Sequence, residues 1–111
     1  MISRATAEHY SWGTECDGWH LVRQAEMSVI QEQMPPGAAE IRHYHVSARQ
    51  FFFVLAGTLT IEREPEVMIL CPGQGCEIPP RVPHQVRNDG NKEAEFLVIS
   101  CPPTHGDRYP A

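Results

Sequence analysis

The chain has 111 residues, 41% hydrophobic and 21% charged, which suits one globular domain around a single core and excludes a disordered chain. Nine basic against 14 acidic residues give a net charge of −5. With Lys92 the sole lysine and the arginines scattered, no basic patch is offered to nucleic acid or to an anionic membrane surface.

The opening MISRATAEHYSWG lacks the apolar centre of a signal peptide, so a cytoplasmic protein is expected; a short helix over residues 6–10 is compatible with it. A tryptophan-containing segment, residues 18–23, is a candidate strand. Residues 27–34 follow as a strand that ends at the PPG turn of residues 35–37. Next come strands at 41–45 and 50–55, the turn Ala56-Gly57, a strand at 58–63, the break Glu64-Pro65, and a strand at 67–70. PGQG at 72–75 and PPRVP at 79–83 are breaks before a strand at 84–87. Asp89-Gly90 is a hairpin signal leading to a last strand at 95–100. The proline-rich end CPPTHGDRYPA reads as a surface tail in which His105 and Asp107 are surface groups. Many short strands with no long helix predict an all-β barrel or sandwich in a single domain spanning residues 1–111.

Residues 50–55 carry a further implication. Gln50, Phe52 and Val54 share one face of the strand, and Phe51, Phe53 and Leu55 share the other, so both faces want cover. One cover is the interior; the other is a second sheet, a second copy of the chain, or loops of the same chain, and of these a homodimer is the expectation. The longest apolar run, residues 51–56, is too short to cross a bilayer. Cys16, Cys71, Cys76 and Cys101 lack metal-site spacing and are expected as free thiols in or near the core, with a Cys71–Cys76 disulfide as the alternative.

The stretch HYHVSARQ, residues 43–50, puts His43 and His45 on one strand face. Two adjacent imidazoles suit a metal, and exposed histidines on a strand edge are the plain alternative. Around them runs G-x5-H-x-H-x4-Q-x6-G from Gly37 to Gly57, and further on G-x5-P-x-R-x2-H-x3-N from Gly73 to Asn88. The two motifs resemble the signature of the cupin superfamily, small jelly-roll barrels, over about half the chain. The resemblance implies that His43, His45 and His84 are metal ligands, that Gln50 stands where the family has a glutamate ligand, and that Pro79 and Asn88 are structural. Arg81 stands at a family glycine, which bears on the local turn.

The resemblance further implies one divalent transition metal, Mn, Fe, Ni, Zn or Cu, in the barrel mouth. Three imidazoles and an amide leave its charge uncancelled, which favours Lewis-acid chemistry on a small oxygenated substrate over redox cycling with oxygen. An isomerase or lyase acting on a sugar or hydroxy acid fits. An iron or copper dioxygenase, and a non-catalytic module that binds or senses a small ligand, are the other readings. His20 is a candidate for the pocket or for a strand histidine bonded to a neighbour. Gln31 and Gln33 are candidate pocket groups or exposed strand residues. Trp12, Trp19, Met27 and Phe52 are candidates for an apolar wall or for core packing. A general base is required, and a metal-bound hydroxide or one of the histidines could serve, with no single residue marked for it.

Overall fold

A computed structural model describes residues 1–111. Eleven strands and no helix form the chain: β1 (Glu8–Trp12), β2 (Cys16–Arg23), β3 (Ser28–Met34), β4 (His43–Tyr44), β5 (Arg49–Ala56), β6 (Leu59–Arg63), β7 (Glu66–Leu70), β8 (Gly75–Ile78), β9 (His84–Arg87), β10 (Ala94–Cys101) and β11 (Tyr109–Pro110). A six-stranded sheet runs β1-β2-β3-β10-β5-β8 and a five-stranded sheet runs β11-β4-β9-β6-β7. Every pairing is antiparallel, as an all-β jelly roll requires.

Alternation decides which residues enter the space between the sheets. On β5, Gln50, Phe52 and Val54 are buried while Phe51 and Leu55 are exposed. On β10, Phe96, Val98 and Ser100 are buried and face the same interior. Leu59 and Ile61 of β6, Ile78 of β8 and Val86 of β9 complete a single cluster with Phe96 and Met34. Burying each large side chain contributes about 1.5–3 kcal/mol.

Several sequence expectations change. Residues 8–12 are a strand rather than part of a short helix, because β1 pairs with β2 from Glu8↔His20 to Trp12↔Cys16. Asp89-Gly90 does not close a hairpin: β9 lies in the five-stranded sheet and β10 in the six-stranded one, so the chain crosses between sheets there. Asn88 makes that corner, its Nδ2 donating to the carbonyls of Met34 and Lys92 and its Oδ1 accepting from the amide of Gly90. The tight hairpin is β6–β7, with Arg63 opposite Glu66 around Glu64-Pro65. The tail is no loose end, since Tyr109 and Pro110 pair with β4. All four cysteines are free, with Cys16 and Cys76 buried and Cys71 and Cys101 exposed.

Two backbone positions shape the site's surroundings. At Gly57, φ is +72° and a Cβ would lie 2.3 Å from the carbonyl oxygen of Glu93, so only glycine fits. Arg81, at the glycine position of the second motif, keeps the left-handed conformation with φ of +70°. Its amide donates to the carbonyl of His45 at 2.6 Å, which holds the loop before β9 against the first motif.

Candidate metal centre

His43 opens β4 and His84 opens β9, and the two are direct register partners. His45 follows one residue after β4. All three are buried, with ring centroids 4.4, 4.8 and 5.4 Å apart. One ligand atom from each lies within 4.8 Å of the others.

The tautomers follow from the backbone. Nδ1 of His43 donates to the carbonyl of Ile41 at 2.7 Å, and Nδ1 of His84 donates to that of Val82 at 2.9 Å. Nδ1 of His45 donates to the carbonyl of Asp107. A carbonyl only accepts, so each Nδ1 carries the proton and each Nε2 holds a free lone pair. Nε2 of His45, Nε2 of His84 and Oε1 of Gln50 are buried with no hydrogen-bond partner. Buried polar atoms without partners are costly, and a cation accepting those lone pairs removes the cost. The donor set therefore fits a divalent metal. Burial lowers the pKa of His43 to about 3 and that of His84 to about 4, which keeps both imidazoles neutral and able to ligate near neutral pH.

Gln50 comes from the opposite sheet. Its Nε2 donates to Ser100 Oγ at 3.1 Å, which fixes the amide with Oε1 as the free acceptor. His43, His45, Gln50 and Ser100 line a cavity of about 70 Å³, whose walls also include Phe52, Val98 and Ile30.

The same cavity holds acidic and basic groups that sequence reading missed: Glu32, Glu40 and Arg108. Glu32 lies on β3 opposite Gly18, where a Cβ would meet the Tyr10 ring at 2.3 Å. The glycine thus leaves room for Tyr10 to reach across β2, and its hydroxyl donates to Glu32 Oε1 at 3.3 Å. Glu40 Oε1 accepts from the amide of Val86 at 3.1 Å and lies 3.9 Å from His43 Nδ1. Its Oε2 lies 3.7 Å from Arg108 Nη2. Burial pushes Glu32 up to about 7, against the hydrogen bond from Tyr10, and pushes Glu40 up to about 8, against the pull of Arg108. Burial also raises the Tyr10 hydroxyl beyond its ordinary range.

The remaining candidates sort by strand parity. Ile30 and Glu32 take the inward positions of β3, so Gln31 and Gln33 face outward, and Gln33 accepts from Arg4 at 3.3 Å. His20 is packed against Tyr10 with centroids 5.0 Å apart, lines no part of the cavity, and has no partner at Nδ1. Of the proposed apolar wall only Phe52 reaches the cavity; Trp12 packs on the core and Trp19 lies under the Arg4 guanidinium. Asp107 is no bystander, since its carboxylate accepts from the amides of Val46, Ser47 and Ala48 at 2.7, 2.9 and 3.0 Å. Those three amide bonds hold its carboxyl below the usual range.

A family profile described as "Cupin domain" matches residues 30–100. Among curated proteins, the chain is 26% identical over 89 residues to the uncharacterized protein MJ1618 of Methanocaldococcus jannaschii, covering 79% of this chain and 71% of that one. It is 34% identical over 69 residues to polyketide synthase CurC of Streptomyces cyaneus, covering 62% of this chain and 45% of that protein, so it spans under half of CurC's length. Among solved structures, a cupin described as a sugar phosphate isomerase from Silicibacter pomeroyi superposes with a TM-score of 0.78 at 21% identity, covering 91% of this chain and 74% of that one.

Proposed function

The chain belongs to the cupin family, and on that footing we propose that it is a metal-dependent enzyme of isomerase or lyase type acting on a small oxygenated substrate such as a sugar or hydroxy acid. The observation that carries this reading is the cluster of His43, His45 and His84, whose ligand atoms lie within 4.8 Å of one another, with His45 Nε2, His84 Nε2 and Gln50 Oε1 buried without partners, beside a cavity lined by His43, His45 and Gln50. His43, His45, His84 and Gln50 hold one divalent ion of Mn, Fe, Ni, Zn or Cu. When bound, the ion supplies Lewis-acid polarisation of a carbonyl or hydroxyl oxygen.

The protein's own groups do the rest. Arg108 is the cation that faces an anionic substituent on the substrate. Glu32 and Glu40, titrating near 7 and 8, exchange a proton at neutral pH, and either can serve as the acid or base that moves a substrate proton. Ile30, Phe52 and Val98 exclude water from the reacting atoms. A cavity of about 70 Å³ takes the reacting end of a small molecule rather than a bulky ligand. The sugar phosphate isomerase description of the Silicibacter pomeroyi structure agrees with this reading.

We also place the protein in the cytoplasm as a homodimer; no helix is long and apolar enough to cross a membrane. The outward faces of β5 and β10 form the apolar surface for the dimer, with Phe51 opposite Ile99 and Phe53 opposite Leu97.

Elemental mass spectrometry on protein expressed with added metals tests the proposal. The native chain is expected to retain about one metal ion and His84→Ala to lose it. Substrate screening under nitrogen then separates the chemistries. Turnover without oxygen supports the isomerase or lyase reading; turnover that consumes oxygen and requires Fe(II) or Cu replaces it with a dioxygenase.

A further inference from the structure

The three histidines are not held alike. The carbonyls that orient His43 and His84 belong to Ile41 and Val82, each two residues away on the same strand approach. The carbonyl that orients His45 belongs to Asp107, 62 residues away in the C-terminal segment. Two ligands are thus set by local backbone, and the third depends on whether a remote piece of chain is docked.

That docking is concentrated at one residue. The Asp107 carboxylate accepts three successive amides, Val46, Ser47 and Ala48, from the loop that follows His45. The Asp107 amide donates to the carbonyl of Thr104 at 2.9 Å, which closes the turn that presents it. Beyond it, Tyr109 stacks on Tyr44 with centroids 5.4 Å apart, and the Ala111 amide donates to the carbonyl of Arg42 at 3.1 Å. Arg108, between these anchors, lines the cavity. Carboxylates bonded by several backbone amides make some of the stronger hydrogen bonds in proteins, so Asp107 is the main clasp of the segment.

We infer that residues 104–111 form a strap whose docking through Asp107 positions His45 for metal, so that metal binding and strap docking strengthen each other. This rests on the metal-centre reading above. Undocked, His45 loses the acceptor that fixes its tautomer and ring orientation, and the amides of residues 46–48 lose their partner. Removing such outer partners of a metal ligand weakens metal affinity about 10–100-fold. By linkage, metal must favour the docked strap by the same factor that the docked strap favours metal.

The test uses zinc on the full chain. Zinc affinity is measured by chelator competition for the native protein, Asp107→Ala and Asp107→Asn, with circular dichroism to show that each variant folds. Asp107→Ala is expected to bind about 10–100-fold more weakly, and Asp107→Asn, which keeps one acceptor oxygen, to fall between the two. In the native protein alone, zinc is expected to slow hydrogen exchange at the amides of Val46, Ser47, Ala48, Asp107 and Ala111, a readout that needs no variant. Tight zinc binding by the native chain, with Asp107→Ala within about twofold of it and no change in exchange across the strap, overturns the inference while leaving the metal centre standing. Failure of the native chain to bind any of Mn, Fe, Ni, Zn or Cu overturns the metal centre and the strap together.

Discussion

Glu32 places a carboxyl group where a carboxylate is costly. In the unfolded chain it titrates near its ordinary value of 4.5, and in the folded chain near 7, because burial penalises the charge. The folded state therefore holds the proton longer. Stability is intact below about 4.5, is lost as pH rises through the window up to 7, and the loss is complete above that. His43 and His84 work in the other direction: their depressed values cost stability as pH falls below 6.5. Glu32→Gln removes the first effect and leaves the second. In metal-stripped protein it is expected to be more stable relative to the native chain at pH 8 than at pH 5, by on the order of 2 kcal/mol, measured by urea unfolding at both pH values. No local signal marked Glu32. It alternates with Gln31 and Gln33 on β3, and sequence alone leaves open which parity faces inward. The register of β3 against β10, Glu32 opposite Phe96, settles it through non-local pairing. The histidines were legible because the H-x-H spacing puts His43 and His45 on one strand face, whereas Glu40 and Arg108 reach the cavity from segments with no such pattern.

Arg81 shows how an element can be kept at an energetic cost. Its left-handed φ of +70° places a side chain where glycine is at ease, and such a conformation costs an L-residue about 1–2 kcal/mol. The amide that bonds the His45 carbonyl belongs to the backbone and would survive substitution. Arg81→Gly is therefore expected to stabilise the chain by about 1 kcal/mol net of glycine's greater unfolded entropy, seen as a rise of about 4–8 °C in Tm by calorimetry. An unchanged or lowered Tm would show that the arginine side chain repays its conformation. The strands between turn residues, such as His84–Arg87 and Arg49–Ala56, were legible from β-branched and aromatic runs. Three strands were not. Glu8–Trp12 takes its extended form from pairing with Cys16–Arg23. Gly75–Ile78 is a four-residue piece sheltered against β5, and Tyr109–Pro110 exists only because it meets Tyr44 and His43. Asp89-Gly90 misled because a turn dipeptide states that the chain reverses and not which sheet it enters. The buried Asn88 side chain makes that choice, through bonds to residues far along the chain and near it.

At the scale of the whole molecule, a stripe on the outer face of the six-stranded sheet is apolar, with Phe51 38% and Leu55 41% exposed beside Phe53 and Ile99. A stable dimer buries about 800 Å² on each partner. Phe51→Glu, which sets a charge in the middle of the stripe, is expected to turn a dimer into a monomer in sedimentation while metal content stays at the native level. A native chain that sediments as a monomer at micromolar concentration would overturn the homodimer. The pairing of His43 with His84 has an effect on the same scale. Strand β4 is two residues long and meets β9 at that single pair, and the approach to it adds the Glu40 amide bonded to the Val86 carbonyl and the Asn88 amide bonded to the Ala38 carbonyl. A slip of one residue would turn an imidazole away from the interior and leave the proposed ion short of a ligand. An ion held as proposed by these histidines would bind only the correct alignment, so it would act during folding as a check on it: chains that zip in a shifted register would stay empty and reopen, and those that zip correctly would be captured.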